Sequence, residues 1–186
     1  MNIFHLDQDY RKAARMHLDK HVVKMIIEYA QLMSTAHRTL DGEEYYDKTA
    51  NGRRIKRWRM SNSNLESTLY KASHVNHPSG IWTRETASNY LYLHGMWKEL
   101  CKEYTYRYGK KHLTEQKLSG ILCHTPINIP DGELTEFAQA MPEYCKKENP
   151  IDAYRFYYIN EKYRFAKWTK RTVPSWYTNS EELKYG

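Results

Sequence analysis

The chain has 186 residues, with 29 Lys and Arg against 22 Asp and Glu and a formal net charge of +7. Hydrophobic residues make up 40% of it, which excludes a disordered protein and allows one domain with its own core. The basic excess favours a polyanionic partner such as nucleic acid, or an anionic substrate. The aromatic residues are 17 Tyr, 5 Trp and only 4 Phe, which suits ligand clefts and base stacking.

The cysteines and the apolar segments of the sequence indicate in which cellular compartment the protein is expected. Cys101, Cys123 and Cys145 lack the close spacing of a zinc knuckle or a disulfide framework. The first residues lack the basic start and apolar run of a signal peptide, and no segment approaches the roughly 18 apolar residues of a membrane span. We therefore expect a reduced, soluble cytoplasmic protein, in the host cytoplasm if it is viral, without a membrane partner.

Hydrophobic spacing predicts an all-α fold, a single compact helical domain over residues 1–186 with long irregular loops. Residues 41–60 and 123–150 are loop-rich, with one helical turn expected near 133–140. The basic run from Arg53 to Arg59 is more typical of a solvated loop than of a segment that recognises a specific nucleic-acid sequence. The predicted helices run from an N-cap at Asp7 toward Arg15, then over about 17–38, 61–72, 79–108, 113–122 and 151–170, followed by a tail that frays at its end.

The predicted helix over 17–38 carries its titratable side chains on one narrow stripe. The rest of its circumference is apolar and includes Val23 and Ile27, so we expect most of the helix to be buried and the stripe to face a confined space. Such a space suits proton transfer or anion binding, whereas the alternative is a core helix with one solvated strip. The stripe consists of His17, His21, Lys24, Glu28, Gln31 and Thr35.

Individual residues of the stripe leave several roles open. Lys24 is a candidate Schiff-base nucleophile, a cation for phosphate, or one half of a helical ion pair with Glu28. His17 and His21 have the spacing that can share a divalent metal, but the second His or Glu motif of helical zinc sites is missing. We therefore expect no metal and no cofactor.

Two further segments are candidates for phosphate binding. Asn76 and His77 precede a helix start, where backbone N–H groups attract phosphate, and Arg84 adds a forked donor; capping of the helix is the alternative. In the last helix and the residues after it, aromatic and basic side chains are interleaved. Such a segment can bind the phosphates of a nucleic acid with its cations and stack its rings on the bases, whereas the simpler alternative is that the aromatic side chains form a buried face. The basic candidates there are Lys162, Lys170 and Arg171.

Three motifs resemble the small helical pyrimidine-dimer DNA glycosylases of bacteriophages and bacteria. The first is Ala14-Arg-Met-His17-Leu18, and the last is Arg171-Thr-Val-Pro174-Ser-Trp176-Tyr177. Between them lie Asn76-His77-Pro78 and an Asn89-Tyr90-Leu91 helix that ends in Glu103, Arg107-Tyr108-Gly109. The whole sequence also resembles uncharacterised phage proteins that begin with a similar Asp-Lys-His-Val-Val-Lys-Met helix.

The resemblance to the glycosylases implies nucleotide flipping and strand cleavage through an imine. Members of that family attack the sugar C1′ with an amine, usually the N-terminal amine, and use a helix carboxylate beside it. This chain departs from that pattern because Asn2 follows Met1, and because Lys24 occupies the step after His21, with the carboxylate only at Glu28.

The leading hypothesis is a DNA base glycosylase/lyase in which Lys24 or the Met1 amine is the nucleophile and Glu28 stabilises the cationic sugar. His17 and His21 would move protons or hold a phosphate, and Arg84 and the C-terminal basic residues would position the backbone. Two alternatives are an enzyme that acts on a nucleotide or modified base, and a non-enzymatic inhibitor or adaptor that binds a protein partner. The oligomeric state is left open.

Overall fold

The computed structural model describes residues 1–178, which are mostly helical. The helical prediction is therefore confirmed, except that a small two-stranded sheet makes the fold not purely all-α. Helices α1 to α8 span Tyr10–Met16, Asp19–Asp41, Ser63–Thr68, Pro78–Glu85, Ala87–Tyr108, Leu113–Leu122, Pro150–Glu161 and Ser175–Thr178. Strands β1 and β2 span Glu43–Lys48 and Arg54–Arg59, and two 3-10 turns span Glu143–Cys145 and Tyr163–Phe165.

The core forms where α2 packs against α4, α5 and α6, while α1 packs on α5. Trp97 of α5 is buried, and its indole N–H donates to the Ile26 carbonyl of α2 at 2.9 Å. Val23 and Ile27 were expected to be buried but are 39% and 38% exposed. That expectation was wrong because the partner helices cover the other sides of α2, which leaves these two residues beside Lys24 at the surface.

Residues 41–60, expected to be irregular, contain an antiparallel hairpin in which Glu43 lies opposite Arg59. The chain reverses at Gly52, whose φ of 79° is a conformation that glycine adopts without strain. The hairpin was missed because its strands are short and both faces are largely exposed, so no alternation of apolar and polar residues marks them.

Arg38 fastens this hairpin to α2. Arg38 is only 2% exposed, and the sequence analysis did not identify it as a buried or structurally important residue. Gly42 lets the chain leave the helix close to Arg38, because a Cβ there would collide with the Arg38 carbonyl oxygen. The Arg38 guanidinium donates, over 2.6 to 3.0 Å, to the carbonyl oxygens of Trp58, Glu66, Leu69 and Tyr70 and to the Glu66 carboxylate.

The helix predicted over 79–108 is divided at Thr86 into α4 and α5. Thr86 is extended, with φ of −140° and ψ of 156°, and its hydroxyl accepts the Asn89 N–H at 3.1 Å as the N-cap of α5. The same hydroxyl donates to the Glu133 carbonyl, so a distant loop stabilises the break. The prediction was wrong because hydrophobic spacing alone continues across Thr86.

Other boundaries also shift. The cap of α1 is Asp9, not Asp7, because the Asp9 carboxylate accepts the Arg11 N–H. The predicted helix over 113–122 is confirmed, whereas residues 133–140 are not helical and the last long helix ends at Glu161. The predicted fraying falls on residues outside the described part of the chain. Among the described helices, none has the length and apolar character needed to cross a membrane.

Replacing Arg38 with Met should strongly destabilise the fold. The Arg38→Met change keeps an apolar side chain but leaves several carbonyl oxygens without their donor, so we expect the free energy of unfolding to fall by about 3 kcal/mol. Urea denaturation measures this. Arg11→Met, on an exposed arginine of α1, is the control and should change stability by less than about 0.5 kcal/mol. Equal losses in both variants would show that Arg38 does not fasten the hairpin.

Candidate active site around Glu28

Glu28 of α2 holds two amines at one carboxylate. Its Oε1 lies 3.1 Å from Nζ of Lys24 and its Oε2 lies 3.7 Å from the amine of Met1. The Glu28 side chain is 14% exposed and that of Met1 is 5% exposed, whereas Lys24 is 69% exposed. The α-amine beside a buried Met1 side chain and the amine of an exposed lysine therefore share one carboxylate where α2 reaches the surface, an arrangement suited to an amine nucleophile.

A chain of hydrogen bonds fixes the backbone close to the Met1 amine. The Phe4 N–H donates to the hydroxyl oxygen of Tyr29 at 3.0 Å, and that hydroxyl lies 2.8 Å from Nε2 of His17. Nδ1 of His17 lies 2.7 Å from the Ala13 carbonyl, which only accepts. Nδ1 therefore carries the proton and Nε2 accepts from Tyr29, so a neutral imidazole completes the chain.

His21 supports the same segment through ring packing. Its ring stacks on that of Phe4 with centroids 4.3 Å apart, and its Nδ1 lies 2.7 Å from the Tyr158 hydroxyl of α7. Burial is the main cause that lowers the pKa of His21 to about 2, and neighbouring positive charges lower it further. At neutral pH, His21 is an uncharged packing group between α2, the N-terminal segment and α7.

The four residues predicted to be catalytic fall into two pairs. Lys24 and Glu28 lie together at the surface, whereas His17 and His21 are 0% and 6% exposed and lie on the core side of Phe4. Phe4 thus covers the first half of the polar stripe, which does not face open space there. The catalytic roles assigned to the four residues stay predictions.

The segment before α4 packs against α2 and ends at His77. Ser73 and Thr35 exchange two hydrogen bonds, which fasten the segment to α2. His77 caps α4 because its Nδ1 accepts the Ser79 N–H at 3.2 Å, so the proton of the neutral ring is on Nε2. Burial lowers the pKa of His77, the N-terminal amine lowers it further, and Glu28 raises it. The charges of the Met1 amine and of the Glu28 carboxylate therefore both act on the His77 ring.

Two of the predicted phosphate-binding residues, Asn76 and Arg84, flank His77 in the sequence. Asn76 is exposed and lines a groove next to the hairpin. Arg84 is partly buried, and one terminal nitrogen of its guanidinium is shielded from solvent without a hydrogen-bond partner among the described residues. Burial lowers the pKa of Arg84. A guanidinium that lacks an internal partner is a suitable group for binding an anion.

Lys162 and Lys170, also predicted to bind phosphate, contact aromatic residues. The Lys162 amine lies 4.5 Å from the ring centroid of Tyr157, and its charge contributes to the lowered pKa of His21. The Lys170 amine donates to the Tyr106 carbonyl at 3.2 Å. The ring of Tyr157 in turn stacks on that of Phe4 with centroids 6.3 Å apart, which connects Lys162 to the segment that carries the Met1 amine.

Arg171 belongs to an ion network that the sequence analysis missed. It donates two hydrogen bonds to the Glu103 carboxylate, at 2.8 and 2.9 Å, and Glu103 also accepts from Arg107 at 2.9 Å. Arg107 pairs with Asp19 of α2 at 2.8 Å. Burial raises the pKa of Glu103, but the hydrogen bonds from the two arginines outweigh it and hold that pKa below its usual value.

This network connects the segments that carry the three motifs of the glycosylase resemblance, since Asp19 directly follows the first motif. Within the sequence, only the spacing of Glu103 and Arg107, which are four residues apart on a helix, indicated part of this ion network. Asp19 and Arg171 lie far away in the chain, so their contribution had no local signal. Arg171 therefore binds Glu103 through two of its nitrogens, and its role in phosphate binding stays a prediction.

A metal site and known relatives do not guide the assignment of function. Residues 1–178 contain no group of three or more His, Cys, Asp or Glu side chains that could hold a metal ion. No protein-family model, no curated protein and no solved structure matches the chain. The functional argument accordingly rests on the geometry around Glu28.

The buried His17 should make stability depend on pH. Burial is the main cause that lowers its pKa from 6.5 to about 4. As the pH falls below 6.5, the unfolded chain takes up a proton that the folded chain excludes. His17 should therefore cost roughly 3 kcal/mol of unfolding free energy between pH 6.5 and 4, with His21 acting in the same direction. Urea denaturation across this pH range measures the slope.

A pair of variants separates His17 from other titrating groups. His17→Gln should be less stable at neutral pH, because the hydrogen-bond chain is disturbed, but its stability should fall less steeply between pH 6.5 and 4. His124→Gln, on an exposed side chain, should keep the full slope. If His17→Gln keeps the same slope as the unmodified protein, the histidine is not the source of the acid sensitivity.

Proposed function

We propose that this protein is a DNA-processing enzyme of the base N-glycosylase and abasic-site lyase type, which acts through an amine held at Glu28. The observation that carries the proposal is the meeting of the Met1 and Lys24 amines at one carboxylate, 3.7 and 3.1 Å away. The sequence motifs support it, because the glycosylases that they resemble use an amine beside a helix carboxylate. The net charge of +7 suits a polyanionic substrate.

The proposed reaction begins when the lone pair of the neutral amine attacks C1′ of the nucleotide. The N–C1′ bond forms while the C1′–N bond to the base breaks, and the base leaves with the electron pair and takes up a proton. The nitrogen lone pair then forms a C=N bond while the C1′–O4′ bond breaks, and O4′ leaves with the electron pair and takes up the proton that the amine lost, which opens the sugar ring and gives a protonated imine. Removal of a C2′ proton then expels the 3′ phosphate, and water hydrolyses the imine to release the amine.

Glu28, His77 and Arg84 each have a role in the proposed reaction. The Glu28 carboxylate stabilises the cationic sugar and accepts the proton that the attacking amine loses. His77 carries its proton on Nε2, where it serves as a donor to the departing base or to a phosphate. Arg84, which has no internal partner among the described residues, binds a backbone phosphate.

Of the two amines, that of Met1 is the better nucleophile. The hydrogen bonds of the Phe4 N–H and Tyr29 restrict the backbone near Met1 and so orient its amine, whereas the Lys24 side chain is 69% exposed. Lys24 then acts as the cation that attracts phosphate.

Borohydride trapping on duplex DNA that contains an abasic site tests the proposal. Borohydride reduces the imine to a stable amine, so the protein should become covalently linked to the DNA, and peptide mapping by mass spectrometry should place the link on Met1. Glu28→Gln should reduce trapping by about 100-fold or more. A two-residue extension before Met1 should also abolish trapping, because it displaces the amine from Glu28.

Matched lysine variants locate the nucleophile. Lys24→Ala should still be trapped, as should the control Lys102→Ala, an exposed lysine that pairs with Glu99 at 2.6 Å. A link to Lys24 with loss of trapping in Lys24→Ala would assign the nucleophile to Lys24 instead. Trapping on a free deoxyribose phosphate but not on DNA would favour the nucleotide enzyme. An absence of trapping on both substrates, in the unmodified protein, would overturn the proposal.

A further inference from the structure

The hairpin over residues 43–59 concentrates basic charge on a largely exposed two-stranded ribbon. It carries six Lys or Arg side chains against three Asp or Glu. Glu43 pairs with Arg59 and Glu44 pairs with Lys56, at 3.1 and 3.0 Å. The basic side chains without a carboxylate partner among the described residues are therefore in excess, and they include Arg53, Arg54 and Arg57.

Aromatic rings hold some of these cations in place. The Arg54 guanidinium lies 3.6 Å from the ring centroid of Tyr46, whose side chain is 54% exposed. On the opposite face, the Arg59 guanidinium lies 4.9 Å from the ring centroid of Tyr45. A stacked guanidinium loses less conformational freedom on binding and keeps its N–H groups available at the edge for phosphate.

A groove connects the hairpin to the segment that carries His77. Its volume is about 460 Å³, and it lies between β2 and residues 72–76. The same segment ends at His77 and is fastened on its other side to Thr35 of α2, which lies two helical turns from Glu28 on the same face of that helix. The hairpin and the amine site therefore share one short segment of chain. The groove is lined by Ile55, Lys56, Trp58 and residues 72–76.

The hairpin has a fixed orientation. Isolated two-stranded hairpins are marginally stable in water, but here the buried Arg38 donates to the Trp58 carbonyl at the base of β2 at 3.0 Å. The same guanidinium binds the carbonyl oxygens of Leu69 and Tyr70, which lie just before the groove. One buried cation thus sets the position of the ribbon relative to residues 72–76.

We propose that the hairpin and this groove form the docking surface for the phosphate backbone of duplex DNA. The inference rests on the proposed function and names the surface that delivers its substrate to Glu28. Charge complementarity carries it, because unpaired arginines on an exposed ribbon match a row of phosphates, and a two-stranded ribbon has dimensions that fit a groove of DNA. Arg53 and Arg54, near the turn, contact phosphates, while Trp58 and Asn76 face the strand that enters the amine site.

Salt-dependent binding tests this surface directly. Fluorescence anisotropy with a labelled duplex measures the association constant over a range of salt concentrations. For the double variant Arg53→Gln/Arg54→Gln, the slope of log K against log salt should become less negative by about 2, with at least tenfold weaker binding at low salt. The matched control is Lys110→Gln/Lys111→Gln, an exposed basic pair after α5, which should keep the original slope.

Trapping at saturating DNA separates this inference from the proposed function. If the double variant binds weakly but is trapped at saturation like the unmodified protein, the hairpin docks DNA and the chemistry lies elsewhere, as proposed. If trapping succeeds while binding and slope are unchanged in the double variant, the docking inference is wrong and the proposed function stands. If the double variant loses salt-dependent binding but no form is trapped, the docking surface stands without the chemistry. A second copy or a protein as occupant predicts no salt-dependent DNA binding at all, which would overturn the inference.

Discussion

The hydrogen-bond chain from Phe4 through Tyr29 and His17 to Ala13 is the constraint on which the candidate site depends. Holding a chain end in one conformation costs about 1–2 kcal/mol per residue in backbone entropy. The cost is offset because Ile3, at 1% exposure, and Phe4, at 4%, are buried beside α2, while directional hydrogen bonds select one placement. As a result, the amine of Met1 lies 3.7 Å from the Glu28 carboxylate in the folded protein.

Charge is distributed in this protein according to burial. The carboxylate of Glu103, which is 3% exposed, is paired with Arg107 and Arg171, because an unpaired buried charge is costly. The buried histidines remain uncharged for the same reason, since burial lowers the pKa values of His17 and His21. The side chains of Arg53, Arg54 and Lys24, in contrast, are exposed, and water compensates their charge.

The helical framework could be predicted because hydrophobic spacing and capping act between near neighbours. This explains the agreement over 113–122 and the correct placement of a long early helix with Lys24 and Glu28 one turn apart. The break at Thr86 could not be predicted, since its hydroxyl is held by a carbonyl from a distant loop. Whether His17 and His21 face a substrate or the core also depends on what packs over them, and that is Phe4, far away along the sequence.

Residue types and short spacings were enough to show which side chains share a helical stripe, where the basic clusters lie and which motifs resemble amine-dependent DNA glycosylases. Three features became visible only in the folded chain: the Met1 amine joins Lys24 at Glu28, Arg171 is paired with Glu103, and the basic run after residue 52 forms a strand of a hairpin. Each of these rests on contacts between residues that are distant in the chain or on backbone pairing, and local periodicity contains no information about either.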